Sequence, residues 1–118
     1  MSGYYDRVTA RRVTLPHVSI SLLEQRLFKL LHPFAAYETW KGSALLDACV
    51  PGWQNRIDIE NLCVSDDKHC MLAQLFGGYL CGARKLGITD GASLGFDCRP
   101  QMDPVYRKAW AIQIQNRH

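Results

Sequence analysis

The chain predicts a mainly α-helical fold, a small single-domain bundle of about four helices over residues 21–118 behind an extended arm at residues 1–20. Three observations carry that expectation. Leucine and aromatic residues recur at helical spacing in several separate stretches. Capping residues stand at the starts of those stretches, and Pro or Gly stands at their ends. The composition is globular, with 47% hydrophobic and 21% charged residues in 118, so neither disorder nor a second core is expected.

Residues 3–20 alternate loosely through Val8, Val13, Leu15, Val18 and Ile20. That is a strand-like rhythm, which Pro16 confines to an edge or a bend, and it is one hint of minor β structure. The first helix follows. Ser21 and Glu24 make a capping box, Leu23, Leu27, Leu30 and Leu31 line the expected core face, and His32-Pro33 ends the helix. A second helix is expected over about 36–49, with Tyr37, Trp40, Ala44 and Ala48 on one face and Gly42 as an interior weakness. Val50-Pro51-Gly52-Trp53 then reads as a type II turn.

Residues 56–64 read either as a short strand, on Ile57 and Ile59, or as irregular loop. A long third helix is expected over about 67–86. Its stripe is Leu72, Leu75, Phe76, Tyr79, Leu80, Ala83 and Leu86, Ser65, Asp66 or Asp67 caps its start, and Gly87 ends it. Phe76 falls mid-stripe and is expected in the core. A second line of small residues, Cys70, Ala73, Gly77 and Cys81, admits a close neighbour. Residues 89–102, rich in Gly, Asp and Pro, read as loop. The last helix opens on Asp103 as cap and Pro104 at its first position. Val105, Ala109 and Ile112 form its face and Trp110 and Ile114 flank it, although the Ile112–Gln115 alternation also fits a strand.

Several function classes are disfavoured. No uninterrupted apolar stretch suggests a signal peptide or a membrane span. Five irregularly spaced cysteines are unlike a secreted disulfide framework, so a cytoplasmic location with reduced thiols is expected. Cys63, His69 and Cys70, near Asp66 and Asp67, are zinc-ligand types. Their Cys-x5-His-Cys spacing supplies no paired set, and no metal or cofactor is expected. Cys70 as a helix-start nucleophile lacks an oriented base, because helix neighbours point about 100° apart. Asp58 with Glu60 forms a carboxylate pair without further machinery, and no phosphate loop or GxSxG is present. The chain therefore reads as a non-enzyme with no evident small-molecule substrate.

Charge is distributed in blocks. Residues 1–34 hold five Arg/Lys against two Asp/Glu, residues 35–70 three against six, and residues 71–118 six against three. The arm combines Tyr4, Tyr5, Arg7, Arg11 and Arg12, which makes these five the candidate partner-binding residues. Aromatic and basic groups together suit nucleic acid, and a basic arm equally suits an acidic protein face.

From about residue 44 to 112 the chain resembles a family of short, uncharacterised proteins encoded by bacteriophages and prophages. The matching pieces are Leu46-Asp47, Val50-Pro51-Gly52-Trp53, Arg56-Ile57-Asp58, Leu62, the C-x-L-x-Q-L-F-G run Cys70–Gly77, Leu86-Gly87, Gly95-Phe96 and Trp110. The family carries glycine where this chain has Ala73. The resemblance implies a viral origin and no known activity. The expected role is binding, as a modulator or inhibitor of a host protein or defence system in the host cytoplasm, with nucleic-acid binding through the arm as the alternative.

Overall fold

The computed structural model describes residues 19–118. Five helices follow in order: α1 Leu22–Leu31, α2 Pro33–Cys49, α3 Met71–Phe76, α4 Tyr79–Leu86 and α5 Asp103–Gln115. Short 3-10 turns at Trp53–Asn55, Ile59–Asn61, Ala92–Leu94 and Pro100–Met102 punctuate the connections. The helical class is as expected, and no strand occurs among the described residues. The strand-like reading of the arm falls almost wholly on residues 1–18, outside them.

The local signals at α1 and at the following turn hold. The Ser21 hydroxyl accepts from the Glu24 amide at 3.1 Å, and the Glu24 carboxylate accepts from the Ser21 amide at 3.3 Å. A single residue, His32, separates α1 from α2. The Val50 carbonyl accepts from the Trp53 amide at 3.0 Å, with Gly52 at φ +82°, as a type II turn requires. Proline at the first position lets α2 begin at Pro33 rather than near 36.

The main core gathers around Trp110. Its ring stacks on Phe96 at 5.5 Å and meets Trp53 edge-on at 5.7 Å, and all three are fully buried. Leu46, Ile57, Leu62, Val64, Met71, Leu72 and Ile114 fill the remainder. Both buried indole N–H groups are satisfied, that of Trp110 by the Gly95 carbonyl at 2.7 Å and that of Trp53 by Asp47 at 2.8 Å. A second, smaller cluster joins Phe28, Ala35, Ala109 and Ile112. α5 sits between the two, so its Ile112–Gln115 stretch is helical: Ile112 and Ile114 serve different clusters. Trp110 and Ile114, expected to flank the α5 face, belong to the main core.

Several expectations are corrected. The leucines of α1 do not face the core; Phe28, on the flank of the helix beyond Glu24, is the buried residue of that helix. On α2, Tyr37, Trp40, Ala44 and Ala48 do share a face, but it is the exposed one. The buried face is Ala35, Thr39, Gly42, Ser43 and Leu46, because small residues let α2 approach α5 and the turn at Ala92–Leu94. A Cβ on Gly42 would stand 2.1 Å from the Leu94 carbonyl oxygen and 3.1 Å from the Trp110 ring. Thr39 satisfies its buried hydroxyl on the Ala35 carbonyl at 2.8 Å.

The long third helix is two short ones. Gly77 adopts φ +91° and closes α3, and α4 turns back along it from Tyr79. The close approach falls at Gly82, where a Cβ would lie 2.8 Å from Leu72 and from Phe76. Phe76 is therefore only half-buried, and Leu80 and Cys81 are exposed. Cys70 caps α3, its Sγ accepting from the Ala73 amide at 3.4 Å, whereas Asp66 instead accepts from the Lys68 amide and the His69 ring. Lastly, Asp103 is the first residue of α5, and its carboxylate accepts from the Ser65 amide at 3.0 Å, tying the loop before α3 to α5.

Two glutamines take the place of strand partners. Gln74 accepts from the Asp58 amide at 2.7 Å and donates to the Asp58 carbonyl at 3.1 Å. Gln115 does the same for Ile20, at 2.7 and 2.8 Å. A primary amide offers both a donor and an acceptor, so it can satisfy a whole residue of extended backbone. The segment over 56–64 is thus held as loop.

Two outcomes follow from this packing. Gly42→Ala should lower stability by about 1–3 kcal/mol through overpacking, although alanine at an unhindered helix site would raise it by up to about 1 kcal/mol; urea denaturation gives the sign. The second concerns Asp47, which Arg117 holds below the usual carboxylate range through a hydrogen-bonded ion pair at 2.8 Å. A carboxyl with a depressed folded-state pKa stabilises above its unfolded pKa and loses that contribution as pH falls toward the folded value. Asp47→Asn should therefore melt below the parent at pH 7, and the gap should close at acid pH.

Candidate protein-binding face

α1 and α2 present most of the exposed large apolar side chains. Five of the ten α1 residues are leucine, between 48% and 78% exposed. Phe34, Tyr37 and Trp40 on α2 are 77%, 57% and 56% exposed. Exposed apolar residues concentrated on two neighbouring helices in this way exceed those of an ordinary surface and mark candidate interaction sites.

The face has relief as well as area. A cleft of about 590 Å³ runs between α1 and α2, floored in part by α5. Phe28, Ala109 and Ile112 of the second cluster form its apolar floor, and Leu22, Tyr37 and Trp40 rise beside it. Tyr37 and Trp40, one turn apart, stack at 6.2 Å, and the Lys41 ammonium lies 4.6 Å from the Tyr37 ring. Arg26 and Lys29 line the cleft with no carboxylate among its lining residues. Glu38, also on α2, is engaged by the Tyr106 hydroxyl. The cleft is thus apolar below and positive at its α1 edge.

α1 is held lightly against the body. Phe28 is its buried contact, the Gln115 clamp fixes Ile20 just before it, and Asn116 donates to Gln25 at 3.2 Å. The capping box and the single-residue corner at His32 set its direction.

The five expected partner-binding residues, Tyr4, Tyr5, Arg7, Arg11 and Arg12, lie outside the described residues. With the arm set aside, eleven Arg/Lys stand against ten Asp/Glu, so the described part carries little net charge. The cysteine cluster is dispersed. Cys70 is fully buried as a cap, and burial raises its thiol pKa, the reverse of nucleophile activation. His69 is exposed and pairs with Asp66 at 2.8 Å, while Cys63 contacts Ser65. Among the described residues no three His, Cys, Asp or Glu side chains converge as metal ligands would.

Pattern reading located the residues of this face but turned them inward. The signal for the reverse was present in mid-helix Gly42 and Ser43, which argue for close approach on the opposite side of α2. Comparison with protein-family models, with curated proteins and with solved structures finds no match. No helix among the described residues is long and apolar enough to cross a membrane.

All five cysteines are free, and their environments predict an order of reaction. Cys49 and Cys81 are exposed, Cys63 and Cys98 are intermediate, and Cys70 is buried; burial and nearby carboxylates push Cys98 up to about 12. Titration of the native protein with a chromogenic disulfide near pH 8 should show two fast thiols. All five should react once the chain is denatured, and stoichiometric zinc in the purified protein would contradict the dispersal of the cluster.

Proposed function

We propose that this is a non-catalytic binding protein of viral origin, a modulator of a host protein, and that the partner docks in the cleft between α1 and α2. The observation that carries the reading is the exposed apolar surface around that cleft, with Tyr37 and Trp40 standing open beside it. Exposed tryptophan and tyrosine next to a groove are the residue types that anchor interfaces. Arg26 and Lys29 at the edge favour a partner whose apolar anchor is bordered by Asp or Glu. The resemblance over residues 44–112 supports the viral origin and carries no known activity.

The arm contributes long-range attraction through Arg7, Arg11 and Arg12, and the same residues support nucleic-acid binding as a second reading. Capture from host lysate, with and without nuclease, followed by binding measurements on the purified partner, separates the two. Trp40→Ala should weaken a protein partner by about thirtyfold, as loss of an anchor worth about 2 kcal/mol does. Alanine at the three arginines should chiefly slow association. Retention that disappears with nuclease, or a binding constant that falls steeply with salt and ignores Trp40, would transfer the function to nucleic acid.

A further inference from the structure

The cleft between α1 and α2 is a short trough. It is lined by α1 from Leu22 to Lys29, by α2 from Pro33 to Trp40, and by α5 from Ala109 to Asn116 just past its end. Each stretch covers about two helical turns, roughly 10 Å at 1.5 Å per residue. The walls are helical, so nearly all their backbone groups are bonded internally, and no strand edge exists among the described residues. The amides that line the trough are engaged as well. Gln25 donates to the Ile20 carbonyl and accepts from Asn116, and Gln113 accepts from Ser43 and Arg117. Arg26 and Lys29, one turn apart on α1, are its charged lining groups, and neither forms an ion pair with a described residue.

We propose that the trough takes an amphipathic, acidic α-helix of the partner protein. Its large apolar side chains sit on the floor at i, i+3 or i+4, and i+7, and Asp or Glu residues one turn apart face α1. The proposal rests on the reading that a partner docks in this cleft. The choice of a helix follows from the walls. An extended peptide over Phe28, Ala109 and Ile112 would bury its own amides and carbonyls with nothing opposite to bond them. The extended residues Asp58 and Ile20 escape that cost because each has a glutamine side chain to itself. A helix brings its backbone groups already satisfied, and two turns present the three anchors that grooves of this kind accept. The choice of an acidic helix follows from charge. Two cations along one wall, with no lining carboxylate, repel a basic occupant and attract carboxylates spaced as they are. The chain's own residues 1–18 carry three arginines against one aspartate, the wrong sign for this site.

Selection from a displayed library of random peptides of about twelve residues, three turns of helix, with the full chain as bait, tests this directly. Enriched peptides are expected to carry apolar residues at helical spacing with Asp or Glu beside them, and to lose binding when proline replaces a central residue. Trp40→Ala should weaken a synthetic copy of such a peptide by about tenfold or more. Arg26→Glu with Lys29→Glu should weaken it about tenfold and should restore binding to a copy whose Asp and Glu are changed to Lys. Arg84→Glu with Lys85→Glu, the same change of charge on exposed residues of α4, should leave affinity within about twofold. Circular dichroism and melting report the fold of each variant, and should Trp40→Ala unfold the chain, the charge swap decides. Peptides that need Trp40 but tolerate proline or lack carboxylates overturn the acidic helix and leave the cleft as a docking site. Peptides indifferent to Trp40, Arg26 and Lys29 overturn both readings, whereas a library with no enriched peptide overturns this proposal alone. Self-association of the full chain that Trp40→Ala abolishes would give the cleft to a second copy. Peptide affinity raised by Val8→Ser with Val13→Ser and Leu15→Ser would give it to the chain's own N-terminal segment. Either result also overturns the proposal.

Discussion

Trp110 occupies the place where the elements meet. Its ring lies between Phe96 and Trp53, its N–H donates to Gly95, and Gly42 of α2 packs on its outer edge. A buried indole must have its single donor satisfied, and the Gly95 carbonyl can reach it only if the turn at Ala92–Leu94 lies tight against α2. That tightness excludes a side chain at position 42. One aromatic residue thereby sets the separation of α2 and α5 and the position of the loop that covers them.

The inverted faces of α1 and α2 follow from this constraint. A helix drawn close to a tryptophan-filled core must turn small residues toward it, so α2 buries Ala35, Thr39, Gly42 and Ser43. Tyr37 and Trp40 are left outside as a consequence. α1 then has only the narrow second cluster to pack against, where Phe28 and two α5 residues fill the space. Five leucines have no core left to enter. The exposed apolar face is the remainder of a core completed elsewhere, and that is why it is available for binding.

The glutamine clamps show how irregular segments are fixed in a chain whose described residues form no sheet. Gln74 and Gln115 each engage both backbone groups of one residue distant in sequence. In each case one side chain supplies what a neighbouring strand would, satisfying groups that are costly to leave unpaired. Asp103 acts similarly on Ser65, and the Asp47–Arg117 pair ties α2 to the residues just after α5. Of these links, Gln74 on Asp58 and Asp103 on Ser65 tie the Trp53–Cys70 region to α3 and α5, beside the packing of its apolar side chains in the main core.

Local chemistry was legible in the sequence by itself. The Ser21–Glu24 capping box, the stop at His32-Pro33, the type II turn at Pro51-Gly52 and the helical character of α2 and α5 depend on residues within a few positions of one another. Only the tertiary structure decided which stripe of each helix faces inward. Periodicity defines a face but gives no direction to it when both sides of a helix carry apolar residues, as α1 does with Phe28 and its leucines. The break at Gly77 was likewise a tertiary matter, because a glycine can stay helical or adopt positive φ. The packing of Gly82 against Leu72 and Phe76 requires the turn, and neither the distance between those residues nor the crowding around Trp110 is written in any local stretch of sequence.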